Sequence, residues 1–276
     1  MKFVSSAENS MLRDVSELQG LAIQATDGEL GTARDVYFDD DSWAIRYVVV
    51  ETGGWLGGKK VLISPYSFVK TDWDARHIDV ALTKKKVENS PSIDTHLPVS
   101  RQHEVAYLGY YGYPYYWGGP YLWGPGYYPS GLAVPTIASQ QNRTDTNPGA
   151  SNDTHLRSTK AVTGYHVEAA DGDIGHVHGF VFDEEAWAIR YIILSTTNWW
   201  PGKKVLVWPA WIKKVSWGEN KLFTSLTREA IKDAPEYIES RKISREYEND
   251  LFAHYGQPPY WQNETEHSSS FSLSSI

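Results

Sequence analysis

The chain has 276 residues, including 12 Trp and 18 Tyr, and a formal net charge of −8. This length suffices for two domains with a core each, and the absence of Cys excludes disulfides, thiolate zinc sites and cysteine nucleophiles. The acidic balance opposes nucleic-acid binding, which relies on Lys and Arg to neutralise phosphates. Because no apolar run could span a bilayer and residues 1–13 lack the apolar core of a secretory signal, we expect a cytoplasmic protein.

An internal duplication with a constant offset of 144 residues organises the chain. The segment Trp43–Tyr47 recurs unchanged as Trp187–Tyr191, and Gly58–Leu62 recurs as Gly202–Leu206. The alignment needs no gap, so it predicts two copies of one module. The predicted segments are a first module at 11–117, a Tyr/Gly/Pro-rich and then polar linker at 118–154, a second module at 155–261 and a disordered tail at 262–276.

Each copy begins with a predicted β-hairpin. Asp27-Gly28 and Asp171-Gly172 fit a type I′ turn, in which Gly adopts a positive φ. Each dipeptide is followed by a second glycine, Gly31 or Gly175, that completes the same motif. The strands predicted around the turns are Leu21–Thr26 with Gly31–Asp39, and Tyr165–Ala170 with Gly175–Asp183.

An acidic turn and an almost continuously apolar strand follow in each copy. The strands run over Trp43–Val50 and Trp187–Leu194, and such runs are typical of a strand buried on both faces. Arg46 and Arg190 lie inside these strands. We expect each arginine to form a structural ion pair with a carboxylate of the acidic turn at 39–41 or 183–185, so Arg190→Ala should lower stability strongly.

Short strands and a helical extension complete each copy. In the first copy the strands lie near Lys60–Ser64 and Ile78–Leu82, with Phe68–Trp73 between them. Thr83 and Thr227 fit helix N-caps, whose hydroxyls bind free amides of the first turn. Short, evenly spaced strands favour a small barrel. The predicted fold is mainly β, with two tandem small barrels that are each followed by a short helical extension.

These motifs resemble the PRC-barrel family, which includes the cytoplasmic domain of the photosynthetic reaction centre H subunit and the C-terminal domain of a ribosome maturation factor. The resemblance implies a small β-barrel that serves as an adaptor or assembly surface in bacterial or archaeal complexes. The H subunit also has a membrane helix, and the ribosome factor has a different N-terminal domain. The stretches that carry the resemblance are Asp27–Gly31, Val36–Asp39, Tyr47–Val50 and Val61–Pro65, with their counterparts Asp171–Gly175, Phe180–Asp183, Tyr191–Leu194 and Val205–Pro209.

The aromatic run from Gly109 to Tyr128 allows two interpretations. Its rings can pack against the module, as the shorter echo Tyr255–Trp261 in the second copy suggests. Alternatively, the rings of Tyr121–Tyr128 form an exposed element for self-association or partner docking. The polar stretch Ser139–Thr154 has the composition of a flexible connector.

A metal site is one hypothesis for the second copy. If the hairpin pairs residues whose numbers sum to 344, His166 faces His178 and Glu168 faces His176, and all four share one face of the sheet. Three imidazoles and a carboxylate could hold zinc or nickel. The alternative is that these are solvated surface side chains, because the first copy lacks the cluster. Its matching residues are Ala22, Gln24, Thr32 and Arg34.

A repeated basic turn is the second candidate. Lysine pairs lie close to tryptophan in both copies and could contact an anion, RNA, a lipid head group or a protein partner. Alternatively, the lysines keep a strand edge soluble. The residues concerned are Lys59, Lys60 and Trp55 in the first copy, and Lys203, Lys204 and Trp199 in the second.

No nucleophile elbow, phosphate-binding loop or dinucleotide fingerprint is present, so we expect neither an enzyme nor a cofactor. The sequence favours a non-catalytic scaffold or adaptor with protein partners, including membrane-associated complexes at the periphery of a membrane. The two copies are expected to pack as an intramolecular pseudo-dimer. Three alternatives stay open: a photosynthetic or other membrane electron-transfer component, an RNA or ribosome-assembly factor, and a metal-binding protein or enzyme.

Overall fold

A computed structural model describes residues 11–91, 99–129, 155–196 and 203–262. The fold is mainly β, as predicted, with two seven-stranded sheets. The strands are β1 (Leu12–Asp14), β2 (Ala22–Ala25), β3 (Gly28–Asp39), β4 (Ile45–Thr52), β5 (Lys60–Ile63), β6 (Phe68–Asp72), β7 (His77–Val80), β8 (Leu156–Ser158), β9 (His166–Ala169), β10 (Gly172–Asp183), β11 (Ala188–Ser195), β12 (Lys204–Val207), β13 (Ile212–Ser216) and β14 (Lys221–Thr224). The helices are α1 (Lys84–Glu88), α2 (Arg101–Tyr111), α3 (Thr159–Val162), α4 (Arg228–Asp233) and α5 (Arg245–His254).

The chain forms two compact units. Unit A consists of residues 15–162 and 185–189, and unit B consists of residues 1–14, 163–184 and 190–276. These units differ from the sequence repeats at 11–117 and 155–261, because β1 belongs to unit B and β8 belongs to unit A. None of the described helices is long and apolar enough to cross a membrane.

The two sheets have the same strand order. In unit A the order is β5-β4-β3-β2-β7-β6, and β8 pairs with β3. In unit B the order is β12-β11-β10-β9-β14-β13, and β1 pairs with β10. The pairs β2–β7 and β9–β14 are parallel. The antiparallel pairs are β1–β10, β2–β3, β3–β4, β3–β8, β4–β5, β6–β7, β9–β10, β11–β12 and β13–β14. The duplication seen in the sequence is therefore present in the topology.

The first hairpin turn differs from the predicted type I′ turn. Ala25 pairs with Gly28, so the two central residues are Thr26 and Asp27. Neither is among the residues with positive φ, whereas Gly28 has a φ of 124°. The glycine therefore begins strand β3 instead of forming the turn. The second hairpin has the same arrangement, with Gly172 at a φ of 130°.

The aspartates of these turns connect each hairpin to a later helix. Asp27 Oδ1 accepts a 2.8 Å hydrogen bond from the Lys84 amide, and Asp171 Oδ1 accepts a 2.7 Å bond from the Arg228 amide. Both helices also have the predicted caps, Thr83 and Thr227. Each Asp-Gly motif thus ties its hairpin to the helix that follows the sheet.

The aromatic run packs into unit A around Trp123. This side chain is fully buried, and its Nε1 donates a 2.8 Å hydrogen bond to the Ala186 carbonyl oxygen. The Tyr66 hydroxyl donates to the Trp123 carbonyl oxygen at 3.0 Å. The packed interpretation therefore holds for Trp123, whereas Tyr128 is 40% exposed. The rest of the linker, from residue 130, and the tail from residue 263 lie outside the described residues.

Candidate functional site

The four predicted metal ligands of unit B do not form one group. Strand β9 pairs His166 with His176, because a register shift between Asp173 and Gly175 moves the hairpin away from the assumed alignment. His178 instead lies 3.0 Å from a carboxylate oxygen of Glu239. Glu168 lies opposite Asp173, with Lys221 Nζ 3.6 Å from its carboxylate. Within the described ranges no three His, Asp or Glu residues form a group that could hold a metal ion.

Both strand arginines lie against the acidic turns. Arg190 Nε and Nη2 donate to one oxygen of Asp183, at 3.3 and 3.0 Å. Arg46 Nη2 is 3.7 Å from Asp39 and donates to the Ser42 hydroxyl at 3.0 Å. Each arginine thus balances a buried carboxylate at the end of the preceding strand.

Arg46 has further contacts. Its guanidinium carbon lies 3.6 Å from the centroid of the Tyr116 ring and 4.9 Å from that of Trp123. Its Nη1 donates a 2.8 Å hydrogen bond to the Leu122 carbonyl oxygen. Burial tends to raise the pKa of Asp39, but the charge of Arg46 and hydrogen bonding from Ser42 outweigh burial and lower it. Arg46 therefore joins strand β4, the acidic turn and the aromatic run.

A buried acid–tyrosine network, which the sequence did not predict, lies in unit A. The side chain of Glu104 is fully buried and accepts hydrogen bonds from the hydroxyls of Tyr116 at 2.6 Å and Tyr47 at 3.1 Å. Arg101 Nη1 lies 3.4 Å from the carboxylate, and His155 Nε2 lies 2.9 Å from it. The carboxylate therefore joins helix α2, strand β4, the aromatic run and the segment that leads into β8.

Unit B contains the acid, the two tyrosines and the arginine of this network at the same offset, without the histidine. Glu248 accepts hydrogen bonds from Tyr191 at 2.7 Å and Tyr260 at 3.1 Å, and Arg245 Nη1 lies 3.0 Å away. Burial raises the pKa of Glu248, although the hydrogen bond from Tyr191 and the charge of Arg245 oppose this shift. Only the constant offset of 144 marks these residues in the sequence, since they come from distant elements.

The tyrosines of the network act as hydrogen-bond donors. Burial, with the nearby charge of Glu104, raises the pKa of Tyr47 well above its ordinary value. Burial and the charge of Glu248 do the same for Tyr191. Both phenols therefore stay protonated and donate to their carboxylates, so each network fastens a helix to its sheet.

The histidine of the network supplies a pH-dependent prediction. Burial tends to lower the pKa of His155, but the hydrogen bond and charge of Glu104 outweigh burial and raise it above its ordinary value of 6.5. The histidine therefore stabilises the fold below its unfolded pKa, and this stabilisation is lost as the pH rises through the folded pKa. We expect His155→Met to cost about 1–2 kcal/mol near pH 6 and less near pH 9.

Denaturant unfolding of the wild type and the His155→Met variant across this pH range measures the difference. Methionine is the matched replacement, because Met11 occupies the equivalent position 144 residues earlier. His103→Met, at an exposed site of helix α2, serves as the control. A difference between wild type and His155→Met that stays constant with pH would contradict the prediction.

We group Trp55, Lys59 and Lys60 of the basic turn of unit A with Lys84 and Lys86 of helix α1, and call these five residues the Lys–Trp surface. Trp55 Nε1 donates a 2.7 Å hydrogen bond to the Leu30 carbonyl oxygen, which fixes the indole ring. Lys84 Nζ lies 5.6 Å from the centroid of this ring, and Lys86 Nζ lies 5.3 Å from that of Tyr110. Lys59, Lys60 and Lys86 are exposed. The surface thus combines cationic groups with anchored rings.

In unit B the matching lysines are bound within the unit. Lys204 Nζ lies 2.7 Å from a carboxylate oxygen of Glu239, and Lys203 Nζ donates to the Lys232 carbonyl oxygen. Trp199 lies outside the described residues. Of the predicted contact residues, the Lys59–Lys60 pair is thus exposed, whereas Lys203 and Lys204 are half-buried in internal bonds.

Comparison with known proteins identifies one family. Residues 12–84 match the family model of the PRC-barrel domain. The matched segment runs from strand β1 to the first residue of helix α1. The match does not extend to the second repeat, although unit B has the same strand order as unit A. No curated protein matches the chain.

Proposed function

We propose that this protein, which carries a PRC-barrel domain at residues 12–84, is a non-catalytic scaffold or adaptor that assembles protein partners. One observation supports this proposal above others. The buried network around Glu104 recurs around Glu248, whereas the surface lysines differ between the units. The two units thus have equivalent interiors and different surfaces, as we expect of a duplicated module whose two copies contact different partners.

The chemistry of the buried acids supports a structural role. Each carboxylate already accepts hydrogen bonds from two tyrosine hydroxyls and lies beside an arginine. A carboxylate bound in this way holds its neighbours in fixed positions, and proton transfer to a substrate would require breaking these bonds. Glu104 and Glu248 therefore serve the architecture of the module.

The Lys–Trp surface indicates the chemistry of the partner. A fixed indole ring provides apolar area at a low entropic cost, and the surrounding lysines attract carboxylates. We propose a protein partner whose contact face carries acidic side chains. In this proposal the protein acts in the cytoplasm or at the periphery of a membrane complex. The two alternative partners are a membrane electron-transfer complex and a ribosomal particle.

Charge reversal on the Lys–Trp surface should weaken partner binding. We expect the variant Lys59→Glu/Lys60→Glu/Lys86→Glu to keep the melting temperature of the wild type, because all three side chains are exposed. Binding to the partner should fall by about tenfold or more. The measurement is affinity capture of tagged protein from a fractionated native lysate, with mass spectrometry of the bound proteins, followed by titration of the purified partner.

The matched control reverses three exposed lysines of unit B, Lys213, Lys232 and Lys242. Enrichment of membrane electron-transfer proteins by the wild type alone would identify the first alternative partner, and enrichment of ribosomal proteins would identify the second. Equal recovery with all three forms would show that the Lys–Trp surface does not bind the partner. Recovery of no enriched protein by the wild type would contradict the assembly function.

A further inference from the structure

Two three-residue strands complete the sheets from outside their own repeats. Strand β1 begins the matched domain at residue 12, yet it pairs with β10 of the second repeat, and Leu12 lies opposite Asp183. Strand β8 of the second repeat pairs with β3 of the first, and Leu156 lies opposite Asp39. Both pairings have the same register at the offset of 144, so the exchange is reciprocal.

Side chains as well as backbone bonds hold these strands. Leu12 and Leu156 are buried in the units that receive them. The arginine that follows each leucine binds the acidic turn beyond the receiving strand. Arg13 Nε donates to Glu184 at 2.8 Å, and Arg157 Nε donates to Asp40 at 2.8 Å. The receiving edge therefore selects an apolar residue followed by an arginine.

We infer that the edges of β3 and β10, at Tyr37–Asp39 and Val181–Asp183, are peptide-binding sites for an extended Leu-Arg segment supplied by another copy of the module. The Leu-Arg segment of each module pairs with a strand of the other module. Its smallest complete form is therefore a pair of modules, and the present chain supplies both members. The recognition combines strand addition with a buried leucine and an arginine–carboxylate bond.

The two sites differ in their side-chain contacts. At the β3 edge, Asp35 also accepts hydrogen bonds from Ser158 Oγ at 2.6 Å and Thr159 Oγ1 at 3.2 Å. The equivalent residue of β10 is Gly179, which has no side chain to accept such bonds. The segment at β3 is also fixed by the bond between His155 and Glu104. The β3 edge thus has side-chain contacts through Asp35 that Gly179 cannot form at the β10 edge.

This inference goes beyond the proposed function and does not depend on it, since it concerns how the modules complete each other. The test uses the full chain with a specific protease site inserted between residues 139 and 154. After cleavage, gel filtration and native mass spectrometry measure the association of the two fragments. We expect a 1:1 complex with the mass of the intact chain. Separation into two independently folded fragments would overturn the inference.

Charge reversal tests the arginine contacts. In the cleaved protein, Arg13→Glu and Arg157→Glu should each raise the dissociation constant of the fragments by about tenfold or more. The compensating changes Glu184→Arg and Asp40→Arg should restore binding in their respective variants. Circular dichroism and thermal unfolding of each uncut variant separate a binding defect from a folding defect.

The control is Arg34→Glu, which reverses an ion pair with Glu51 inside the first repeat. We expect this variant to leave the dissociation constant of the fragments unchanged. If Arg13→Glu and Arg157→Glu weaken association no more than Arg34→Glu does, the proposed recognition of the Leu-Arg segment is wrong. Failure of the compensating pairs to restore binding would also overturn it.

Discussion

Replacing Arg46 with alanine is expected to lower the free energy of unfolding by about 3–5 kcal/mol, because removal of one partner leaves a buried charge uncompensated. Arg46 is 3% exposed, and its carboxylate partner Asp39 is 5% exposed. The substitution also removes the donor to the Leu122 carbonyl oxygen and the cation that lies over Tyr116. Denaturant unfolding monitored by circular dichroism measures the loss.

Alanine substitutions of two other arginines provide comparisons for the loss of unfolding free energy expected at Arg46. Arg34→Ala breaks an ion pair whose two side chains are 50% and 41% exposed, so its cost should stay below about 1 kcal/mol. Arg190→Ala breaks the equivalent pair with Asp183, and we expect a large loss there as well. If the Arg46→Ala and Arg34→Ala variants have the same free energy of unfolding, the structural role of Arg46 is contradicted.

Gly31→Ala is expected to cost at least about 3 kcal/mol, because overpacking and backbone strain add. Gly31 has a φ of 152°, which favours glycine, and a Cβ at this position would overlap the backbone carbonyl oxygen of Glu51. Gly175 has the same geometry, with a φ of 150° and the Ser195 carbonyl oxygen in the way. The close approach of neighbouring strands thus requires glycine, so Gly175→Ala should be equally damaging.

Alanine substitutions at two other glycines separate the cost of backbone strain from the cost of steric overlap. Gly57 also has a positive φ of 66°, but a Cβ there meets nothing within 4 Å, so Gly57→Ala should cost about 1–2 kcal/mol. A Cβ at Gly109 of helix α2 likewise meets nothing within 4 Å, and Gly109→Ala should raise stability slightly. Thermal and denaturant unfolding measure all four variants. A cost for Gly31→Ala no larger than that for Gly57→Ala would exclude the steric explanation.

Local patterns in the sequence predict much of the fold. The gapless repeat gives the duplicated topology, the apolar runs give strands β4 and β11, and Thr83 and Thr227 cap their helices. The prediction of a type I′ turn was wrong by one residue, since Gly28 begins strand β3 instead of completing the turn. The hairpin register assumed for the metal hypothesis was wrong, because a register shift beside Gly175, unmarked by hydrophobic periodicity, places His166 opposite His176.

Contacts between distant residues account for what the sequence does not predict. Glu104 lies in a short helix, and its partners Tyr47 and His155 come from elements far from it in the chain. Strands β1 and β8 have three residues each, too few to show an alternating pattern. Only tertiary structure brings such residues together, so the network and the exchanged strands were invisible to sequence periodicity.

The exchanged strand β1 has a consequence for synthesis on the ribosome. Arg13 and Glu184 are 171 residues apart in the chain. At a translation rate of roughly 5–20 residues per second, β1 leaves the ribosome on the order of 10–30 s before its acceptor strand is made. N-terminal domains usually fold first during synthesis. Unit A cannot be completed in this order, because its residues 155–162 and 185–189 are made after the rest of the unit. The nascent first module therefore leaves the ribosome with its acceptor edge uncovered, and native pairing must wait until the second repeat emerges.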